Sequence, residues 1–156
     1  STLFPYTTLF RSVKFPRLRF ACRPQVDDAT SPRKAMAMPS NKMISDFSAK
    51  PTTGSFYRAV DEYVMSLGPV TREHRSQVSY SVNRKFLWMW AYERTGDGTL
   101  YLNVTLDHRQ DDEHIHSITQ VSPHRWNHHV VVRSLQTATS QWMRALISAG
   151  AEFSSR

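Results

Sequence analysis

KFLWMWAYERTGDGTLYLNVTL, residues 85–106, is the stretch whose reading decides the fold. Its first half alternates as a strand does. Phe86, Trp88, Trp90 and Tyr92 fall on one face and Leu87, Met89 and Ala91 on the other. Both faces are apolar, which predicts a central strand covered on both sides. Thr95-Gly96-Asp97-Gly98 supplies residues that tolerate positive φ and predicts a tight hairpin turn. The return strand places Leu100, Leu102, Val104 and Leu106 inward and Tyr101, Asn103 and Thr105 outward.

On the N-terminal side, Phe56, Val60, Tyr63, Val64 and Leu67 recur at spacings of three and four and predict a helix. Thr52, Thr53 or Ser55 is placed to cap its start, and Asp61 and Glu62 face outward. Gly68 stands at the C′ position and Pro69 stops continuation. Ser76–Val82 alternates as a half-buried strand, and Asn83-Arg84-Lys85 turns into the hairpin. Beyond Leu106 a polar loop runs from Asp107 to Glu113. The spacing of Ile115, Ile118 and Val121 fits a short helix or an irregular strand equally. Pro123–Asn127 reads as a turn and His128–Arg133 as a strand. Ser134 caps a last helix with the stripe Leu135, Ala138, Trp142, Leu146 and Ala149, and Gly150 ends it. Short connections imply a mainly antiparallel sheet of four to five strands. The expected architecture is an α+β two-layer sandwich with two helices, the first and last elements, on one face.

The chain is long enough for one domain, here assigned to residues 43–156. Ser1–Ser12, STLFPYTTLFRS, resembles a translated sequencing adapter of the kind found at the ends of metagenomic gene models; its competing reading is an apolar strand. Residues 13–42 are basic and proline-interrupted and read as a disordered tail, with Met36, Met38 and Met43 all plausible starts. The formal net charge is +7, yet residues 43–156 hold twelve bases against eleven acids. The basic signal therefore sits in the tail. Strong phosphate binding is not expected of the folded part, and a nucleic-acid contact would have to come through the tail. One cysteine, Cys22, forms no internal disulfide or zinc ribbon. With no secretory signal and no run of transmembrane length, a cytoplasmic location and no membrane partner are expected.

Two constellations bear on chemistry. Six of seven histidines lie between His108 and His129, mixed with Asp107, Asp111, Asp112 and Glu113. Imidazole and carboxylate at this density are metal-ligand chemistry, with His114, His116, Asp112 and His128 as the candidate set. In an extended segment His114 and His116 point the same way. No HExxH or CxxC supports the idea, and loop and strand-end histidines are the blander reading. The aromatic row on the first hairpin strand is a stacking platform in waiting, on whichever face the helices leave uncovered. Tyr80, Arg84, Trp88, Trp90, His129 and Arg133 are the candidate ligand-binding residues for a small molecule or a protein partner. No GxSxG elbow and no glycine-rich phosphate loop is present, and no catalytic residue or cofactor is assigned.

An ordered set of short motifs adds a resemblance. Phe47 with Lys50-Pro51, Ser66-Leu67-Gly68-Pro69-Val70, Gln77-Val78-Ser79-Tyr80, Phe86-Leu87-Trp88-Met89-Trp90 and Arg125-Trp126-Asn127-His128-His129 resemble an uncharacterised bacterial family, the domain of unknown function numbered 5655. The resemblance implies a compact α+β domain, with no activity, cofactor or catalytic residue attached. A binding or interaction domain using its open sheet face is the expected function, with metal binding through the histidine-acid segment as the alternative.

Overall fold

The computed structural model describes residues 41–156. The adapter-like segment, residues 13–40 of the basic tail, Met36 and Met38 lie outside the described residues; Asn41 and Lys42, which close the tail, accept from the Arg94 and Glu93 N–H groups at 2.9 and 2.8 Å. The elements run β1 (Met43–Ile44), α1 (Pro51–Met65), β2 (Thr71–His74), β3 (Val78–Ser81), β4 (Lys85–Tyr92), β5 (Leu100–Leu106), β6 (Ser117–Ser122), β7 (Arg125–Val132), α2 (Leu135–Ala138) and α3 (Gln141–Ser155). The strands form one antiparallel sheet in the order β2-β3-β4-β5-β7-β6, with β1 paired to the far end of β4.

The α+β class and the antiparallel sheet agree with the sequence reading, but the described residues hold seven strands and three helices rather than four to five and two. The extra strands lack an apolar alternation. β2 is Thr-Arg-Glu-His, an edge strand with nothing to bury, and β1 is two residues long. The ambiguous segment around Ile118 is the strand β6. The Pro123–Asn127 turn shrinks to Pro123-His124, because Trp126 and Asn127 already pair with Leu106 and Thr105.

Leu87, Met89, Leu100, Leu102, Val104, Val130 and Val132 point to the helices and are fully or almost fully buried. α1 meets them with Phe56, Val60 and Val64, and α3 with Met143, Leu146, Ile147 and Phe153. Phe86 departs from the strand alternation. Tyr80 pairs with Leu87 but Ser81 pairs with Lys85, so β4 carries one extra residue, Phe86, at a bulge. The bulge turns Phe86 and Leu87 to the same side, and Phe86 is buried beneath α3. The β3–β4 turn is anchored there too, since Ser154 Oγ accepts from the Val82 and Arg84 N–H groups at 3.0 and 3.3 Å.

The final helical stripe is broken. Ser134 caps only the four-residue α2, and Ser140 caps α3 by accepting from the Met143 N–H. Gly150 does not end α3, which runs five residues further. A Cβ at Gly150 would lie 2.8 Å from Val104 Cγ1 and 3.0 Å from Phe86 Cδ2, so glycine is required for the close approach of helix to sheet. At the other end of the layer, Ser66 closes α1 and the positive-φ Gly68 follows two residues later rather than at C′.

The start of α1 is capped from outside the helix. Lys50 occupies the N-cap position without a capping side-chain bond. Asp97, from the β4–β5 connection, accepts from the Thr52 N–H at 3.0 Å and the Thr53 N–H at 2.8 Å. Those donors hold its carboxyl well below the usual range, at about 2. Thr53 Oγ1 completes the clasp by donating to Asp97 and accepting from the Gly98 N–H at 2.8 Å. The sequence expectation of a local Thr52, Thr53 or Ser55 cap is thus replaced by a carboxylate forty-four residues away. Thr53 is fully buried. Thr53→Val strands the Gly98 N–H and is expected to cost about 1–3 kcal/mol in urea unfolding.

Candidate functional site

The face of the sheet away from the helices carries the side chains that the alternation points outward. Register lines them up across the strands. Ser79 on β3 is opposite Trp88 on β4, Trp88 opposite Asn103 on β5, Asn103 opposite His129 on β7, and His129 opposite Ser117 on β6. A second row runs Thr105, Asn127, Thr119. Beside them Trp90 pairs with Tyr101.

The rings pack side by side. Trp90 and Tyr101 are stacked with centroids 6.0 Å apart, and Tyr101 and His129 with centroids 6.1 Å apart. Trp90 also lies 5.5 Å from His129, and the His116 ring stands 5.7 Å from His129. This cluster buries Trp90 until only 5% of it is exposed, and its indole Nε1–H has no hydrogen-bond partner among the described residues. Trp88 stays half-buried.

Between these walls runs a groove in two parts. One, of about 420 Å³, is lined by Asn103, His116, Ser117, Thr119, Asn127 and His129. The other, of about 230 Å³, is lined by Gln77, Trp88, Trp90, Asn103 and Asn127. Asn103 and Asn127 line both, so the parts adjoin. Together they reach the size of small-molecule sites. No aspartate, glutamate, lysine or arginine lines either part. Asn127 Oδ1 accepts from Thr105 Oγ1 at 2.7 Å. The side chains of Asn103, Gln77, Ser117, Thr119 and His129 make no hydrogen bond among the described residues and face the groove with donors and acceptors unused.

A cleft of about 490 Å³ lies elsewhere, between α1 and the segment after β1. Its Ser45 hydroxyl donates to the Arg75 carbonyl at 2.5 Å, and Asp46 accepts from the Ser48 N–H. Its wall is the Phe47–Tyr57 ring pair, 4.9 Å apart. The cleft is larger than either part of the groove taken singly; the density of unengaged hydrogen-bonding groups beside an aromatic wall favours the sheet face.

The sequence-based ligand set divides. Trp88, Trp90 and His129 come together on the open face. Tyr80 does not: it points to the helices, fully buried, and donates to Asp61 at 2.7 Å. Asp61 is also gripped by Arg72 at 2.7 Å, and burial drives the Tyr80 phenol pKa far up. Arg84 is drawn to the end of α3, over the Phe153 ring and onto the Arg156 carbonyl. Arg133 is exposed just past β7 and lines neither part of the groove. Asn103, Asn127, Ser117, Thr119 and Gln77 were missed as site residues. The outward phase of Asn103 was legible; the register that sets it beside His129 was not.

The metal candidates are dispersed. The His114 ring packs on Trp142 of α3 at 4.6 Å and bonds Asp112. His116 sits with His129 on the opposite face, because the chain between His114 and His116 is not an extended strand. His128 is fully buried; its Nε2 accepts from the Gln110 N–H at 3.0 Å, which leaves Nδ1–H to donate to the Val104 carbonyl. Both nitrogens are engaged. No group of three or more histidine, cysteine, aspartate or glutamate side chains among the described residues is placed to hold a metal ion.

Burial pulls the His128 pKa below its ordinary value; burial does the same for His129, helped by His116 beside it. The unfolded chain therefore binds more protons than the folded one below about pH 6.5. Stability is full above that value and falls as the pH drops towards the depressed folded-state pKa values. Urea midpoints measured between pH 7.5 and 5 are expected to decline in the wild type and to flatten in His128→Gln.

Among the described residues no helix is long and apolar enough to cross a membrane. No curated protein and no solved structure matches the chain. The family model described as domain of unknown function DUF5655 matches residues 43–154, from β1 into the last turn of α3. It spans every strand of the sheet and so the whole groove, and the chain belongs to the DUF5655 family.

Proposed function

We propose that this domain is a small-molecule binding module whose site is the groove on the open face of the sheet. The observation that carries the reading is the pairing of an aromatic wall, Trp88 and Trp90, with unengaged amide, hydroxyl and imidazole groups and no charged side chain. A ligand that fits this chemistry is neutral, offers a flat ring to Trp88, and presents hydrogen-bonding groups on its edge to Asn103 and Asn127. A nucleobase or nucleoside meets that description. A phosphate group finds no cation in the groove to receive it.

The test is a tryptophan-fluorescence titration of the full chain with nucleobases, nucleosides and their 5′-phosphates. Neutral members are expected to shift the emission, with no gain from an added phosphate. Trp88→Ala and Asn103→Ala are expected to weaken binding at least about tenfold, the loss of one good contact. Affinity that climbs with each phosphate, or a response unchanged in Trp88→Ala, contradicts the proposal.

A further inference from the structure

The hydrogen-bonding side chains of the groove are not equally free. Gln77, Asn103, His116, Ser117, Thr119 and His129 line it with no side-chain hydrogen bond among the described residues. An amide can turn over, a hydroxyl can swing and a neutral imidazole can change tautomer. Groups of this kind match a ligand donor or a ligand acceptor alike, and so select neither.

Asn127 is the exception. It stands directly opposite Thr105 where β5 pairs with β7, and Thr105 Oγ1 donates to its Oδ1 at 2.7 Å. Thr105 is only 1% exposed, and its hydroxyl has no other hydrogen-bond partner among the described residues. Turning the Asn127 amide over would set Nδ2 against the hydroxyl and leave the buried hydroxyl proton without an acceptor. The orientation of the amide is therefore fixed. Oδ1 is held by Thr105, and Nδ2, with both hydrogens unused, is what Asn127 offers a ligand. Asn127 lines both parts of the groove and shares the smaller one with Trp88 and Trp90, so a ring stacked on Trp88 meets it edge-on.

On the reading that the groove is the ligand site, we infer that Thr105 is a positioning residue: by fixing Asn127 as a donor it makes the groove select a base with an oxo group on its edge, as in uracil or hypoxanthine, over one with an amino group there. An oxo oxygen accepts from Asn127 Nδ2. An exocyclic amino group in the same place sets donor against donor, and both go unpaired. Asn103 supplies no such discrimination, because its amide turns to match either edge.

Calorimetric titration of the full chain with uridine against cytidine, and with inosine against adenosine, tests this. The oxo member of each pair is expected to bind at least about tenfold more tightly. Thr105→Val keeps the shape and removes the hydroxyl, which frees the amide to turn, and the ratio is expected to fall towards one. Thr105→Ser restores the hydroxyl and with it the preference. Asn127→Asp still accepts from Thr105 through one oxygen and presents the other to the ligand, so the preference is expected to reverse in favour of cytidine and adenosine. Thermal unfolding of each variant shows that it is folded. Equal affinities within each pair in the wild type overturn the inference, as does a preference that Thr105→Val and Asn127→Asp leave unmoved. In both cases binding that is still lost in Trp88→Ala leaves the groove standing as the site. A chain that binds none of the four nucleosides overturns the groove reading and the inference together.

Discussion

Phe86→Ala is expected to cost about 3–5 kcal/mol in urea unfolding, whereas Trp88→Ala, two residues along the same strand, costs about 1–2 kcal/mol. Simple alternation makes these two residues equivalent. The bulge at Phe86 separates them: Phe86 is fully buried against α3, while Trp88 is half-buried on the open face. The loss at Phe86 combines the transfer of a whole ring with a cavity that Val104 and α3 cannot collapse into. The pair should also separate in binding. Trp88→Ala loses the ligand response, and Phe86→Ala keeps it for as long as the protein is folded. Equal stability losses in the two variants would place both rings on one face and remove the bulge from the account.

Gly150→Ala is a test of sign. In an ordinary helix interior, replacing glycine by alanine gains about 1 kcal/mol. Here the added Cβ lies 2.8 Å from Val104 Cγ1 and 3.0 Å from Phe86 Cδ2, with the Thr105 carbonyl oxygen 3.6 Å away. Val104 and Phe86 are both fully buried, so neither can retreat to solvent. Overpacking of this kind costs about 1–3 kcal/mol and outweighs the helix-propensity gain. Gly150→Ala is expected to lower stability, and Gly150→Leu to lower it further. Ala145→Gly, at an exposed position of the same helix, reports propensity alone at about 1 kcal/mol. A stabilised Gly150→Ala would show that α3 stands further from the sheet.

The same two residues mark where the sequence stops being sufficient. Period-two and helical spacing locate β4, β5, α1 and α3, because each buries an apolar face. The alternation of β5 is observed as read, with Leu100, Leu102, Val104 and Leu106 buried. Phe86 is misread because a bulge needs a partner strand to define it, and that partner is set by register. Gly150 is misread because a glycine late in a helical stripe looks like a stop, while its reason for being glycine is Val104, forty-six positions earlier in the chain. Asp97 reads as a turn residue, and only folding shows it capping α1. β2 is silent in the sequence because an edge strand needs no apolar side chain. The site follows the same rule. Trp88, Trp90 and His129 are legible as aromatic residues on strands, but Asn103, Asn127 and Ser117 become site residues only when five strands align. The histidine cluster is dense in sequence and scattered in space, since β7 sends His128 and His129 to opposite faces and the irregular segment before β6 carries His114 to Trp142 and His116 to His129.

The central claim is that the open sheet face, and neither the helix layer nor the cleft beside α1, receives the ligand. Its most direct measurement is a ¹H–¹⁵N chemical-shift map of the full chain with a neutral nucleoside added. The account predicts shifts at the Trp88 and Trp90 indoles, the Asn103 and Asn127 side-chain amides and the His129 backbone, with Tyr80 and Val60 unmoved. Shifts confined to Tyr57, Arg58 and His74 of the other cleft, or no shifts at all, would contradict it.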